Sequence, residues 1–228
     1  KAAEPIVYGL KAKSEGTLVV QAQTSAITGV SDTTIVSGFA PVVYEGNGTT
    51  QSITGVGFSP DLVWIKSRTD ASSSRLVDVV RGPEKGLISN STDAEFDGNN
   101  VTSFNTDGFS VGTDGNVNAI EDYVAWCFDA GDTTVTNTDG TIPSQVRSNG
   151  DFSIVSFTGN NSGTTVVGHG LNSAPRLYIF KSLNSGAWYV YPPATSFPTG
   201  YLLLNSTDAK GDNPTYFLPE ATNTTFSF

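Results

Sequence analysis

Apolar residues in this chain fall in short runs divided by Gly, Pro, Asn and Asp. Leu62-Val63-Trp64-Ile65 carries four apolar residues in succession, without alternation. That pattern predicts a strand covered on both faces. Tyr123-Val124-Ala125-Trp126-Cys127-Phe128 also predicts a strand, with Val124, Trp126 and Phe128 on one face and Tyr123, Ala125 and Cys127 on the other. No stretch shows helical periodicity over a dozen residues. The nearest, Asn118 to Ala125, is short and ends in aromatic and β-branched residues. Many short strands with turn-forming residues between them predict an all-β chain of sandwich type.

The pattern repeats itself. Pro60, Lys66 and Asn90-Ser91-Thr92-Asp93-Ala94 return 115 positions later as Pro175, Lys181 and Asn205-Ser206-Thr207-Asp208-Ala209. Gly46-Asn47 returns 113 positions later as Gly159-Asn160, and Phe109-Ser110 returns 117 later as Phe226-Ser227. Such register changes fall where loops accept insertions. The expectation is two tandem, homologous antiparallel β-sandwiches of jelly-roll or lectin-like type. Residues 1–37 would form an extended N-terminal arm, 38–130 the first copy, 131–150 a polar linker and 151–228 the second copy. The run Tyr123–Phe128 has no counterpart after Phe226. The second copy is therefore expected to lack its last strand, to be supplied by chain beyond Phe228 or by another chain.

Charge and composition narrow the classes of function. The 228 residues carry a net charge of −10, with 12 Lys and Arg scattered along the chain. Phosphate recognition needs clustered basic residues, so nucleic acid and anionic membrane surfaces are not expected partners. No apolar run approaches the roughly 20 residues that would cross a bilayer, so no membrane insertion is expected. Cys127 is the only cysteine, which leaves no internal disulfide to support the fold.

Candidate chemistry is sparse. Asp93, Glu95 and Asp97 alternate and would share one side of a strand, a possible calcium set, although Lys210 interrupts the equivalent triplet in the second copy. A solvated turn, with Asp93 and Asp208 as Asx-type organisers, is the plainer reading. His169, the only histidine, lies in the turn Gly168-His169-Gly170. No Gly-x-Ser-x-Gly elbow accompanies it, so it reads as a loop residue. Arg75, Asp78 and Arg81 suggest an ion pair around one strand, and Lys66 and Lys181 read as rim residues. Trp188, Tyr189, Tyr191 and Tyr201 lie near Pro192, Pro193 and Pro198, as an aromatic platform for sugar rings would. Packing residues would look the same. No catalytic residue, cofactor or structural metal is expected.

The run Gly57 to Arg68, with Leu76–Gly82, Tyr123–Phe128 and Gly168-His169-Gly170-Leu171, resembles a repeated β-sandwich domain of tailed-bacteriophage virion proteins. The resemblance covers about residues 39–228. It implies a structural appendage of tail-fibre or head-fibre type, carried on the virion after assembly in the host cytoplasm and involved in attachment to the host surface. The implied partners are other virion proteins through the N-terminal arm, further copies of the chain (a trimer being favoured) and host surface glycans. A lectin-like carbohydrate-binding module is the alternative, and a glycan-degrading enzyme a more remote one.

Overall fold

The computed structural model describes residues 5–10, 38–160, 165–191, 200–212 and 221–227. Sequence expectations for Thr17–Val20, Pro192, Pro193, Pro198, Thr215–Phe217 and Phe228 lie outside the described residues. In chain order the strands are β1 (Pro5–Leu10), β2 (Phe39–Glu45), β3 (Gln51–Thr54), β4 (Leu62–Ser67), β5 (Arg75–Asp78), β6 (Lys85–Gly86), β7 (Phe96–Asp97), β8 (Val101–Asn105) and β9 (Gly108–Val111). One helical turn, α1 (Gly115–Asn118), precedes β10 (Asp122–Phe128). Then come β11 (Thr134–Asn137), β12 (Ser144–Ser148), β13 (Phe152–Phe157), β14 (Val166–Gly168), β15 (Leu177–Ser182), β16 (Trp188–Tyr191), β17 (Gly200–Leu203), β18 (Gly211–Asp212) and β19 (Thr225–Ser227). The described chain is all-β, and its strand ladders are antiparallel.

In the first half, a four-stranded sheet in the order β2-β10-β4-β5 faces a three-stranded sheet in the order β3-β9-β8. Val63, Ile65, Val77, Phe109, Tyr123 and Cys127 fill the space between them. The connection that carries the chain from β2 in one sheet to β3 in the other turns at Gly48, whose φ of +71° is easy only for glycine. Gly46 is small for a different reason: a Cβ there would strike the Ala119 carbonyl.

In the second half, a large sheet runs β11-β12-β13-β1-β15-β16-β17-β18, and β14 pairs with β19 over its inner face. Val155, Phe157, Tyr178, Tyr191, Val167 and Phe226 form the core there. The halves share their registers. Val63 pairs with Val77 as Tyr178 pairs with Tyr191, and Ile53 pairs with Phe109 as Val167 pairs with Phe226.

A third core joins the two halves. Leu62, Leu76 and Leu87 of the first half bury against Phe152, Ile154 and Trp188 of the second. Trp64, Phe128 and Ile179 pack around them. The four-stranded sheet is thus covered twice: Val63 and Ile65 point to its own core, Leu62 and Trp64 to the other half. This explains the unbroken apolar run, because a strand with two dry faces has no polar alternate positions. β10 divides as expected, with Tyr123, Ala125 and Cys127 fully buried on one face.

Two expectations are corrected. Residues 131–150 are not a bare linker: β11 and β12 lie within them and extend the large sheet. A hairpin at a sheet margin needs one apolar face only, which Val146 supplies. The place expected to be vacant in the second half is filled from within residues 1–228. β1, part of the expected N-terminal arm, lies between β13 and β15.

Candidate functional site

The repeated motifs build turns. Lys66 and Lys181 each end a central strand and bend back over the turn that follows. The Lys66 ammonium donates to the carbonyls of Ser67 (3.1 Å) and Asp70 (3.0 Å). The Lys181 ammonium donates to those of Ser182 (2.7 Å) and Asn184 (2.9 Å). Lys181 is fully buried, so it is not the rim residue expected from its position at a strand end. Burial draws its pKa down to about 8, a shift that Asp93 opposes.

The Asn-Ser-Thr-Asp motif works in the same way in both halves. The Asn90 side chain accepts from the Ser74 amide (3.0 Å), and Asn205 accepts from the Trp188 amide (2.8 Å). Each pins the start of an equivalent strand. The Ser91 hydroxyl accepts from the Asp93 amide (2.9 Å) and Ser206 from the Asp208 amide (3.1 Å). The serines, not Asp93 and Asp208, therefore cap these turns.

The three alternating carboxylates do not converge. Asp93 is exposed, Glu95 pairs with Arg81 (3.0 Å) and Asp97 with Lys85 (2.5 Å). No group of His, Cys, Asp and Glu arranged to hold a metal occurs among the described residues. Of Arg75, Asp78 and Arg81, the last two form an ion pair and Arg75 turns elsewhere. Arg81 bonds Asp78 at 2.6 Å in full burial, whereas Arg75 reaches Asp114, 2.7 Å away before α1, and lies over the Phe96 ring.

His169 is buried and has both ring nitrogens engaged. Nδ1 accepts from the Leu171 amide at 3.0 Å, which leaves the Nε2–H to donate to the Thr222 carbonyl at 3.2 Å. Burial lowers its pKa, and the Thr222 bond offsets this only in part. It fastens the turn before β19. The cavity it lines with Ser153, Val155 and Tyr178 has a volume of about 10 Å³, room for one water.

The aromatic candidates split by strand alternation. Trp188 points into the core between the halves, fully buried, with its indole N–H on the Ile88 carbonyl at 2.9 Å. Its ring is covered by protein and does not face a sugar. Tyr189 and Tyr191 point to the opposite side. Tyr191 is buried and stacks on Tyr178, with ring centroids 4.8 Å apart. Burial, reinforced by Tyr189 and Tyr201, pushes its hydroxyl up to about 12. Tyr189 and Tyr201 are half-buried and meet edge to face at 5.2 Å. Gly211 admits the Tyr201 ring, which a Cβ there would strike.

One pair was not signalled by the sequence. Asp61, at the start of the central strand in the first half, lies 2.7 Å from Arg147 on β12, without the alignment of a hydrogen bond. Its second oxygen accepts from the Ala130 amide at 2.7 Å. Burial raises the Asp61 pKa to about 6, with the Ala130 amide and Arg147 offsetting it in part. Only the spacing Pro60-Asp61 hints at such a role.

Residues 37–228 match a family described as a domain of unknown function, DUF7483. The chain belongs to the DUF7483 family. The match spans both halves and leaves β1 outside it. No curated protein and no solved structure matches the chain. In this DUF7483 chain the residues that recur between halves are those that pack cores and cap turns.

Proposed function

We propose that this chain is a structural, non-enzymatic component of a bacteriophage virion appendage, of tail-fibre or head-fibre type, that takes part in host attachment. Its two halves are read as tandem homologous β-sandwiches of jelly-roll or lectin-like form. The observation that carries the reading is the use made of the repeated residues. Lys66 and Lys181, and Asn90 and Asn205, serve the same turns twice, and a continuous apolar core binds the halves together. Selection of this kind favours a stiff body over a reactive pocket. The sequence resemblance supplies the virion setting, and a homo-oligomer, with a trimer favoured, is part of the same proposal. Mass spectrometry and antibody labelling of intact particles test it: the chain should be found at a tail or head appendage, and its absence from purified particles would sink the reading.

A second reading, a carbohydrate-binding module for host glycans, is favoured by Tyr189 and Tyr201, which keep part of their surface open. Glycan-array binding that disappears in Tyr201→Ala, with folding intact, would support it.

A further inference from the structure

β1 fills in the second half the seat that another strand fills in the first. Its seat is that of β10. In the first half, Val124 of β10 lies opposite Val43 and Lys66, and Phe128 opposite Phe39 and Leu62. In the second half, Ile6 of β1 lies opposite Ser156 and Lys181, and Leu10 opposite Phe152 and Leu177. Under the repeat, Val43 corresponds to Ser156, Lys66 to Lys181, Phe39 to Phe152 and Leu62 to Leu177. β1 therefore takes the register of β10 on both of its flanks.

In sequence, β1 is remote from that seat: β13 and β15 lie in the second half of the chain, and residues 11–38 separate β1 from β2.

We infer that the seat between β13 and β15 accepts β1 from a second copy of this chain, so that copies join by exchanging their closing strands. The recognition is main-chain pairing, five residue pairs with β13 and six with β15, and such a ladder does not distinguish a donor in its own chain from one in a neighbour. Residues 11–37 span at most about 90 Å when extended, enough to reach an adjacent molecule. A tethered strand competes at an effective concentration on the order of millimolar. Exchange therefore prevails where copies are held close together in an assembly or fold side by side. This holds whether or not the appendage reading does, since particle labelling and strand exchange fail separately.

The test uses two full-length chains of different tag size, one Ile6→Cys and one Ser156→Cys, refolded together from denaturant at about 1 mM and then oxidised. Opposed residues on antiparallel strands have Cα atoms roughly 4.5–5.5 Å apart, within disulfide reach. Cys127 is fully buried and stays out of the reaction. The expected result is a disulfide-linked pair joining the two tagged chains on a non-reducing gel. If a control chain carrying both Ile6→Cys and Ser156→Cys closes only within itself and the mixed chains give no linked pair, the inference is overturned. It is equally overturned if neither preparation cross-links, because β1 then does not occupy the seat. A second pair, Val7→Cys and Val155→Cys, repeats the readout should the first fail to fold.

Discussion

Asp61 of the first half and Arg147 of the second stand 2.7 Å apart across the seam that joins them. The Asp61 carboxyl is buried, and its pKa of about 6 lies above the ordinary value of 3.8. The folded state therefore holds the Asp61 proton more tightly than the unfolded chain. Its contribution to stability is complete below about pH 4 and is lost as pH rises through 6. Asp61→Asn should remove that part of the profile, seen as the difference between variant and wild type in urea melts from pH 4 to 7. Arg147→Met leaves a buried carboxylate with less compensation. It should cost about 1–3 kcal/mol at pH 7 and less at pH 5, where Asp61 is protonated.

Trp188 tests the shared core. Trp188→Ala should cost about 3–5 kcal/mol, because it empties a fully buried site where residues of both halves meet. Trp188→Phe keeps most of the packing but leaves the Ile88 carbonyl without its indole donor. A loss of about 1 kcal/mol is expected, measured by denaturant unfolding.

His169 acts opposite to Asp61. Its folded pKa is depressed, so its contribution is present above the ordinary value of 6.5 and is lost as pH falls. Nitrogen NMR at pH 7 should find the ring neutral, with the proton on Nε2 and Nδ1 unprotonated. A charged ring at that pH would contradict the geometry.

Lys181 provides an alkaline signature. With a folded pKa of about 8 against 10.5, its contribution is complete above pH 10.5 and is lost as pH falls through 8. The stability difference between wild type and Lys181→Met should therefore shift in favour of wild type between pH 8 and 10.

Local chemistry made the strands legible. The unbroken run Leu62–Ile65 announced two dry faces, and the alternation of Tyr123–Phe128 announced which residues enter the first core. The destination of β1 was hidden, because its partners lie more than 140 residues away and nothing within Pro5–Leu10 names them. The segment 131–150 read as linker because a hairpin at a sheet margin keeps mostly polar residues. Trp188 resembled a sugar platform because its neighbours are aromatic, and only the strand's orientation sends it into the core between the halves while Tyr189 goes to the opposite face. Lysines at strand ends look like surface residues. That Lys181 folds back on its own turn depends on the carbonyls of Ser182 and Asn184, which sequence does not orient.

The placement of β1 has a mechanical consequence. It lies inside the large sheet, antiparallel to both neighbours, with five paired positions on one side and six on the other. Tension applied along that strand strains both ladders in shear at once instead of peeling residues off one at a time. A tether at the N-terminal end would therefore pull on the interior of the body, at a joint whose strength is set by cooperative rupture.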